Sequence, residues 1–142
     1  MGAIVVLGGC GGIGSVASRS LVAAGEEIVV ADVDVDRAQA LATELGARAI
    51  AVDASSQESL TSAMTGADVV LNCVGAFYRF GPPILGAAIA AGVDYVDVCD
   101  DLAPTRVMLA MDDAARAAAV TALIGMGNSP GIANVFVRLC AD

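Results

Sequence analysis

The 142-residue sequence contains no histidine, no lysine and no tryptophan. Histidine is the commonest general base near neutral pH, so its absence removes the simplest route to acid–base catalysis. The lack of lysine excludes a Schiff-base nucleophile and any Tyr-x-x-x-Lys proton-transfer pair. All seven basic residues are scattered arginines, and the net charge is −9. That balance argues against a nucleic-acid partner, because phosphate contacts need clustered basic side chains; the acidity reads as a solubility feature. No apolar run approaches the roughly 20 residues of a membrane helix, so no membrane partner is expected. Cysteines stand at 10, 73, 99 and 140 with no CxxC pair. Neither a metal site nor a thioredoxin-type redox motif is expected from that spacing. They read instead as small reduced residues of a cytoplasmic protein. The apolar stretch Ala3–Leu7 follows the start with no basic flank, which predicts no signal peptide.

What is present is apolar and finely divided. Hydrophobic residues make up 57% of the chain, and the mean hydropathy is +0.76. They fall in short blocks broken by Gly and Asp, as buried strands do when they alternate with Ala-rich helices. Strands are predicted at Ile4–Leu7, Glu27–Ala31, Ala49–Val52, Asp68–Cys73, Val93–Val96 and Thr121–Gly125. Helices are predicted at Ile13–Ala24, Asp36–Leu45, Ser56–Met64, from Gly81 to Ala91, at Pro104–Ala118 and at Ile132–Cys140. Gly25 and Gly46 stop the first two helices, and Ser55 or Ser56 caps the third. Asp36 reads as a helix cap, and Pro82 and Pro83 as first-turn residues of their helix. Alternation at this spacing predicts an α/β fold with a doubly wound parallel sheet in a single domain, the Rossmann arrangement.

The strongest chemical signal is Gly9-Cys10-Gly11-Gly12-Ile13-Gly14, a G-x-G-x-x-G between a predicted strand and a predicted helix. In that context Gly9 permits the tight turn, Gly11 lets a pyrophosphate approach the backbone, and Gly14 allows close packing of helix on strand. The helix start offers unpaired N–H groups and a partial positive charge to phosphates. Asp32 lies 18 residues beyond Gly14, near the separation of about 20 expected for an acid that binds the adenosine ribose hydroxyls. A carboxylate there favours NAD, while Arg37 keeps NADP open. Val33 follows Asp32 at the same strand end. Asp53-Ala54, after the third strand, reads either as an adenine contact or as a helix-entry turn. Cys73-Val74-Gly75, after Asn72, falls near the topological switch point, where backbone lines a cofactor groove.

Beyond that turn the chain resembles the N-terminal NAD(P)-binding domain of the saccharopine dehydrogenase-like oxidoreductases. The resemblance rests on the Gly-rich turn, Ala31-Asp32-Val33-Asp34, and the block from Asn72 to Phe77 that leads through Pro83 to Ala91–Asp97. Its last stretch is Gly127–Asn134. Asp97-Val98-Cys99-Asp100-Asp101 departs from the family's usual pair after Tyr-x-Asp. The resemblance implies hydride transfer to or from an amino-acid-derived amine or imine, with NAD or NADP as cofactor. It also implies that residues 1–142 are a fragment lacking a C-terminal domain that would meet an amino-acid-like small molecule. A homodimer is left open.

Tyr95, Asp97 and Asp100 read first as strand-end caps and a solvated loop, and secondly as a reactive cluster. Tyr78 and Arg79 are placed in a loop, as anchors or as groups over the nicotinamide or a substrate carboxylate. No catalytic residue is assigned. A second reading is a nucleotide-sensing domain of the potassium-channel gating-ring type, which shares the Gly turn and the two strand-end acids. A short-chain dehydrogenase is disfavoured because no lysine completes its Tyr/Lys pair.

Overall fold

The computed structural model describes residues 2–141, so the first and last residues of the span read as one domain lie outside the described residues. Six strands form one parallel sheet in the order β3-β2-β1-β4-β5-β6. They are β1 (Ala3–Leu7), β2 (Ile28–Asp32), β3 (Arg48–Ala51), β4 (Ala67–Asn72), β5 (Asp94–Asp97) and β6 (Ala122–Leu123). The chain moves outward from β1 to one edge, returns, and builds the other half. The order therefore reverses between β1 and β4, which is where α/β sheets open a crevice at their carboxyl ends.

Alternation along the strands sorts the core into two layers. Val5 and Leu7 of β1, with Val29 and Ala31 of β2, belong to one apolar cluster. Val6, Ile28 and Val30 belong to the other, with Ile4 packed against it. Successive strand residues point to opposite faces, so a strand apolar at every position fills both. The first layer is closed by α3 (Gln57–Met64), α4 (Phe77–Ala91) and α5 (Leu102–Leu109), through residues such as Leu60, Ile84 and Met108. The second is closed by α2 (Val35–Leu45), through Ala38 and Leu41, and by α1 (Gly12–Ala23), through Leu21 and Val22.

Four elements differ from the sequence expectation. The helix expected to start at Gly81 begins a turn earlier at Phe77, after Ala76 adopts a left-handed φ of 57°. Pro82 and Pro83 therefore sit inside α4, where two N–H donors are missing from the helix ladder. The single helix expected over Pro104–Ala118 is divided into α5 and α6 (Asp112–Ala117) at Ala110–Met111, and its start moves back to Leu102. The last strand is shorter than Thr121–Gly125, because it pairs with β5 only at Ala122 and Leu123. The cap of α2 is Asp34, whose side chain accepts the Arg37 N–H at 3.1 Å, and Asp36 lies in the first turn instead. Ser56 caps α3 as expected, accepting from the Ser59 N–H at 3.2 Å.

The expected terminal helix is present as α7 (Ala133–Ala141), preceded by an irregular turn at Asn128–Ile132. No α7 residue is buried. No helix among the described residues is long and apolar enough to cross a membrane.

Candidate cofactor-binding site

The Gly-rich turn leaves β1 at its carboxyl end and enters α1. Gly8 takes a φ of +70°, and the Gly11 N–H returns to the Gly8 carbonyl at 3.0 Å. A Cβ on Gly14 would lie 2.1 Å from the Gly8 oxygen, and one on Gly9 2.7 Å from the Val6 oxygen. Backbone occupies both places, so neither position accepts a side chain. Gly11 and Gly12 are different. A Cβ on Gly11 would meet only the Gly8 oxygen, at 3.1 Å, and one on Gly12 would meet nothing. The fold therefore requires glycine at 9 and 14, whereas at 12 it leaves open space and at 11 only one tight backbone contact. Helix α1 starts there with no side-chain cap and no acidic residue in its first turn. Its first N–H groups are thus available to an anion. Ile13, in that first turn, is exposed.

Asp32 ends β2 beside this turn. One carboxylate oxygen accepts the Cys10 N–H at 3.2 Å, and the other accepts the Asp34 N–H at 3.2 Å. These bonds fix the plane of the carboxylate and leave each oxygen a further lone pair for a donor outside the chain. The nearby Cys10 thiol is pushed up to about 11, first by burial and then by its hydrogen bond and charge contact with Asp32. It is therefore a neutral thiol near pH 7.

A cavity of about 290 Å³ opens at the carboxyl ends of β1 to β4. Asp32, Val33, Asp53, Ala54 and Val74 line it, so five of the residues singled out from the sequence come together. Val33 is 76% exposed, an apolar side chain with no protein neighbour covering it. Asp53 builds its own turn: Oδ1 accepts from both the Ser55 N–H at 2.8 Å and the Ser55 hydroxyl at 2.6 Å. These bonds hold the Asp53 carboxyl below its usual range. Its backbone N–H also donates to the Ser59 hydroxyl at 3.0 Å. Asp53 is thus the helix-entry turn and a cavity wall at once. Gly9 to Gly14 form the adjoining turn, while Cys73 and Gly75 lie just outside the cavity lining.

The structure changes the place of three side chains. Arg37 does not reach the cavity. Its guanidinium donates to the Cys10 carbonyl at 2.9 Å, in a separate groove with Ser15, Arg19 and Glu44. Tyr78 and Arg79 lie in the first turn of α4 and not in a loop. Arg79 lines the cavity beside Asp53, and Phe80 lies next to it. The sequence reading singled out Arg79, though in a loop and over the nicotinamide or a substrate carboxylate, and missed Phe80; helical phase from Phe77 would have shown both.

Tyr95, Asp97 and Asp100 follow the first of their two readings, strand-end caps and a solvated loop, and do not assemble as a reactive group. Asp100 is exposed, whereas Tyr95 and Asp97 are fully buried. The Tyr95 hydroxyl donates to Asp97 Oδ2 at 2.9 Å and accepts from the Asn72 amide at 2.9 Å. Asp97 Oδ1 accepts the N–H groups of Cys99 at 3.0 Å and Gly125 at 2.7 Å. Asn72 Oδ1 accepts the Val74 N–H at 2.9 Å. The triad ties together the carboxyl ends of β4, β5 and β6. Burial and the Asp97 charge push the Tyr95 hydroxyl far above its ordinary range. It is a proton holder, not a base.

These features together — a parallel sheet in this order, a G-x-G-x-x-G turn with its free helix start, and an acid at the end of β2 — match a known family. Residues 4–123 match the saccharopine dehydrogenase NADP binding domain. The chain belongs to this family. The family domain is NADP-binding, and its members include oxidoreductases. Apo saccharopine dehydrogenase (L-Glu forming) from Saccharomyces cerevisiae superposes with a TM-score of 0.84 at 25% identity, over 96% of this chain and 30% of that one. A Mycobacterium tuberculosis protein whose name proposes a trans-acting enoyl reductase is 33% identical over 102 residues, 67% of this chain and 24% of that protein. An uncharacterised oxidoreductase of Bacillus subtilis, YuxG, is 34% identical over 85 residues, 50% of this chain and 12% of that protein. Citrobacter triphenylmethane reductase complexed with NADP(H) shares the fold, with a TM-score of 0.68 at 21% identity. The chain spans about a quarter or less of the length of these curated relatives.

Proposed function

We propose that this chain is the cofactor-holding domain of an oxidoreductase that moves hydride between C4 of a nicotinamide and a carbon bearing an amine or imine in an amino-acid-derived substrate. The cofactor itself supplies the hydride chemistry. The observation that carries the reading is that the Gly-rich turn adjoins the Asp32 and Asp53 cavity: Gly8 lines it, and the Cys10 N–H of the turn is bonded to the Asp32 carboxylate. Main-chain N–H groups from Gly12 to Gly14 meet the pyrophosphate, while the Gly11 N–H stays bonded to the Gly8 carbonyl. Asp32 accepts from the adenosine ribose hydroxyls. Val33, Ala54 and Val74 form apolar walls for adenine, and Asp53 Oδ2 accepts from its amine. Cys73 and Gly75 lead the chain past the groove toward the nicotinamide end.

Asp32 also sets the preference proposed for NAD over NADP, since a fixed carboxylate repels a 2′-phosphate. Arg37, tied to Cys10, sits outside the cavity and offsets this less than the sequence suggests. No accessible histidine, lysine or buried acid faces the cavity, so binding without turnover is expected of this chain alone. Calorimetric titration with NAD, NADP and 5′-AMP tests the reading. Binding of neither dinucleotide at millimolar concentration would sink it, and tighter binding of NADP would remove only the NAD preference.

The name of the M. tuberculosis relative favours a second acceptor, an activated carbon–carbon double bond in place of an imine. Transfer of deuterium from a C4-deuterated cofactor to imine or enoyl substrates, read by mass spectrometry on the assembled enzyme, separates the two. Membership of the family sets the gating-ring reading aside.

A further inference from the structure

The cavity walls carry two carboxylates, Asp32 and Asp53, and one cation, Arg79. Of the seven arginines, Arg79 alone lines this cavity. Arg19 pairs with Glu44, Arg116 pairs with Asp112, and Arg37 donates to Cys10. The Arg79 guanidinium makes no hydrogen bond or ion pair among the described residues, although its charge helps hold the Asp53 carboxyl below its usual range. Its guanidinium carbon instead lies 4.8 Å from the centre of the Phe80 ring. That contact holds a planar cation at the cavity wall with its hydrogen-bonding groups unspent.

We propose that Arg79 is an adenine-binding residue, its guanidinium plane stacking on the base in the cavity that Val33 also lines. This inference rests on the cofactor reading above and deepens it. Three observations support it. A planar guanidinium stacks on aromatic faces where an ammonium does not, and Arg79 already makes such a contact with Phe80. Val33 offers an exposed apolar surface lining the same cavity, so both would contact a flat ring. The start of α4 fixes Arg79 through backbone, because the Arg79 N–H donates to the Ala76 carbonyl at 2.8 Å. Arg79 therefore contributes to affinity for the base whether or not a 2′-phosphate is present.

The test compares the wild-type chain with Arg79→Met and Arg79→Lys by calorimetry, using 5′-AMP, NAD, NADP and nicotinamide mononucleotide. Arg79→Met keeps the apolar stem, and Arg79→Lys keeps the charge without the plane. Stacking predicts that both variants lose about tenfold in affinity for 5′-AMP, NAD and NADP alike. Nicotinamide mononucleotide, which carries no adenine, serves as the control and is unaffected. Retention of wild-type affinity in Arg79→Met overturns the proposal. Rescue by Arg79→Lys also overturns it, since charge alone would then suffice. A selective loss for NADP would overturn it in favour of a 2′-phosphate contact. If the wild-type chain binds no adenine nucleotide, the cofactor reading falls and this proposal falls with it.

Discussion

At the scale of single residues, the four glycines of the turn divide into two pairs with different duties. Gly9 and Gly14 are required because backbone atoms fill the space of any side chain, at 2.7 and 2.1 Å. Gly14→Ala is expected to cost about 3 kcal/mol, the scale of forced overpacking, as measured by urea unfolding. Gly11→Val meets only one oxygen, at 3.1 Å, and Gly11 already has a φ of −72° that valine adopts. It is expected to unfold near the wild-type midpoint while losing dinucleotide binding in calorimetry. A large loss of stability would show that Gly11 serves the fold and not a ligand. Asp32→Ala is expected to weaken NAD more than NADP; equal losses would remove the ribose role from Asp32.

At the scale of elements, the carboxyl ends of β4, β5 and β6 are joined through one buried polar triad. Removing the Tyr95 hydroxyl leaves the Asn72 amide and the Asp97 carboxylate each short of a partner. Tyr95→Phe is expected to cost about 1–3 kcal/mol, the penalty of an unsatisfied buried group. Hydrogen exchange should localise the loss to the Val74 and Gly125 amides, which the triad holds in place. A neutral outcome in denaturant melts would show that the Tyr95 hydroxyl adds no net stability to the triad. Elements were also where the sequence was hardest to read. Strand identity followed from continuous apolar runs, and all six strands were found in the expected order along the chain. The start of α4 was hidden because Ala76, a residue with no turn signature, takes the left-handed conformation, while Pro82-Pro83 mimics a helix start. The division between α5 and α6 falls at Ala110–Met111, where neither glycine nor proline marks it.

For the molecule as a whole, cavity residues contributed by strand ends were legible because the topology of the sheet dictates where strand ends meet. Asp32, Val33, Asp53, Ala54 and Val74 follow from that rule. Arg79 and Phe80 do not, because they come from a helix whose phase depends on its true start. A global test concerns alkaline stability. Burial pushes the thiols of both Cys10 and Cys73 from 9.0 up to about 11. Unfolded thiols release their protons first as pH rises, and the folded state keeps them. Stability is therefore full below about pH 9 and falls through pH 11. Urea midpoints between pH 8 and pH 11 should show that decline, and a Cys10→Ala, Cys73→Ala double variant should flatten it below about pH 10, above which the raised Tyr95 hydroxyl adds its own loss. An unchanged slope in the double variant would assign the decline to other groups.

The free start of α1 carries no charged side chain, and the chain around it has a net charge of −9. Dipolar N–H groups act only at contact, whereas the net charge acts over the Debye length, about 30 Å in dilute salt. An anionic dinucleotide is thus repelled on approach and held once it arrives. Added salt shortens the reach of the repulsion and leaves the contact bonds in place. Association of such a ligand quickens as ionic strength rises, the reverse of the behaviour of sites built from lysine and arginine.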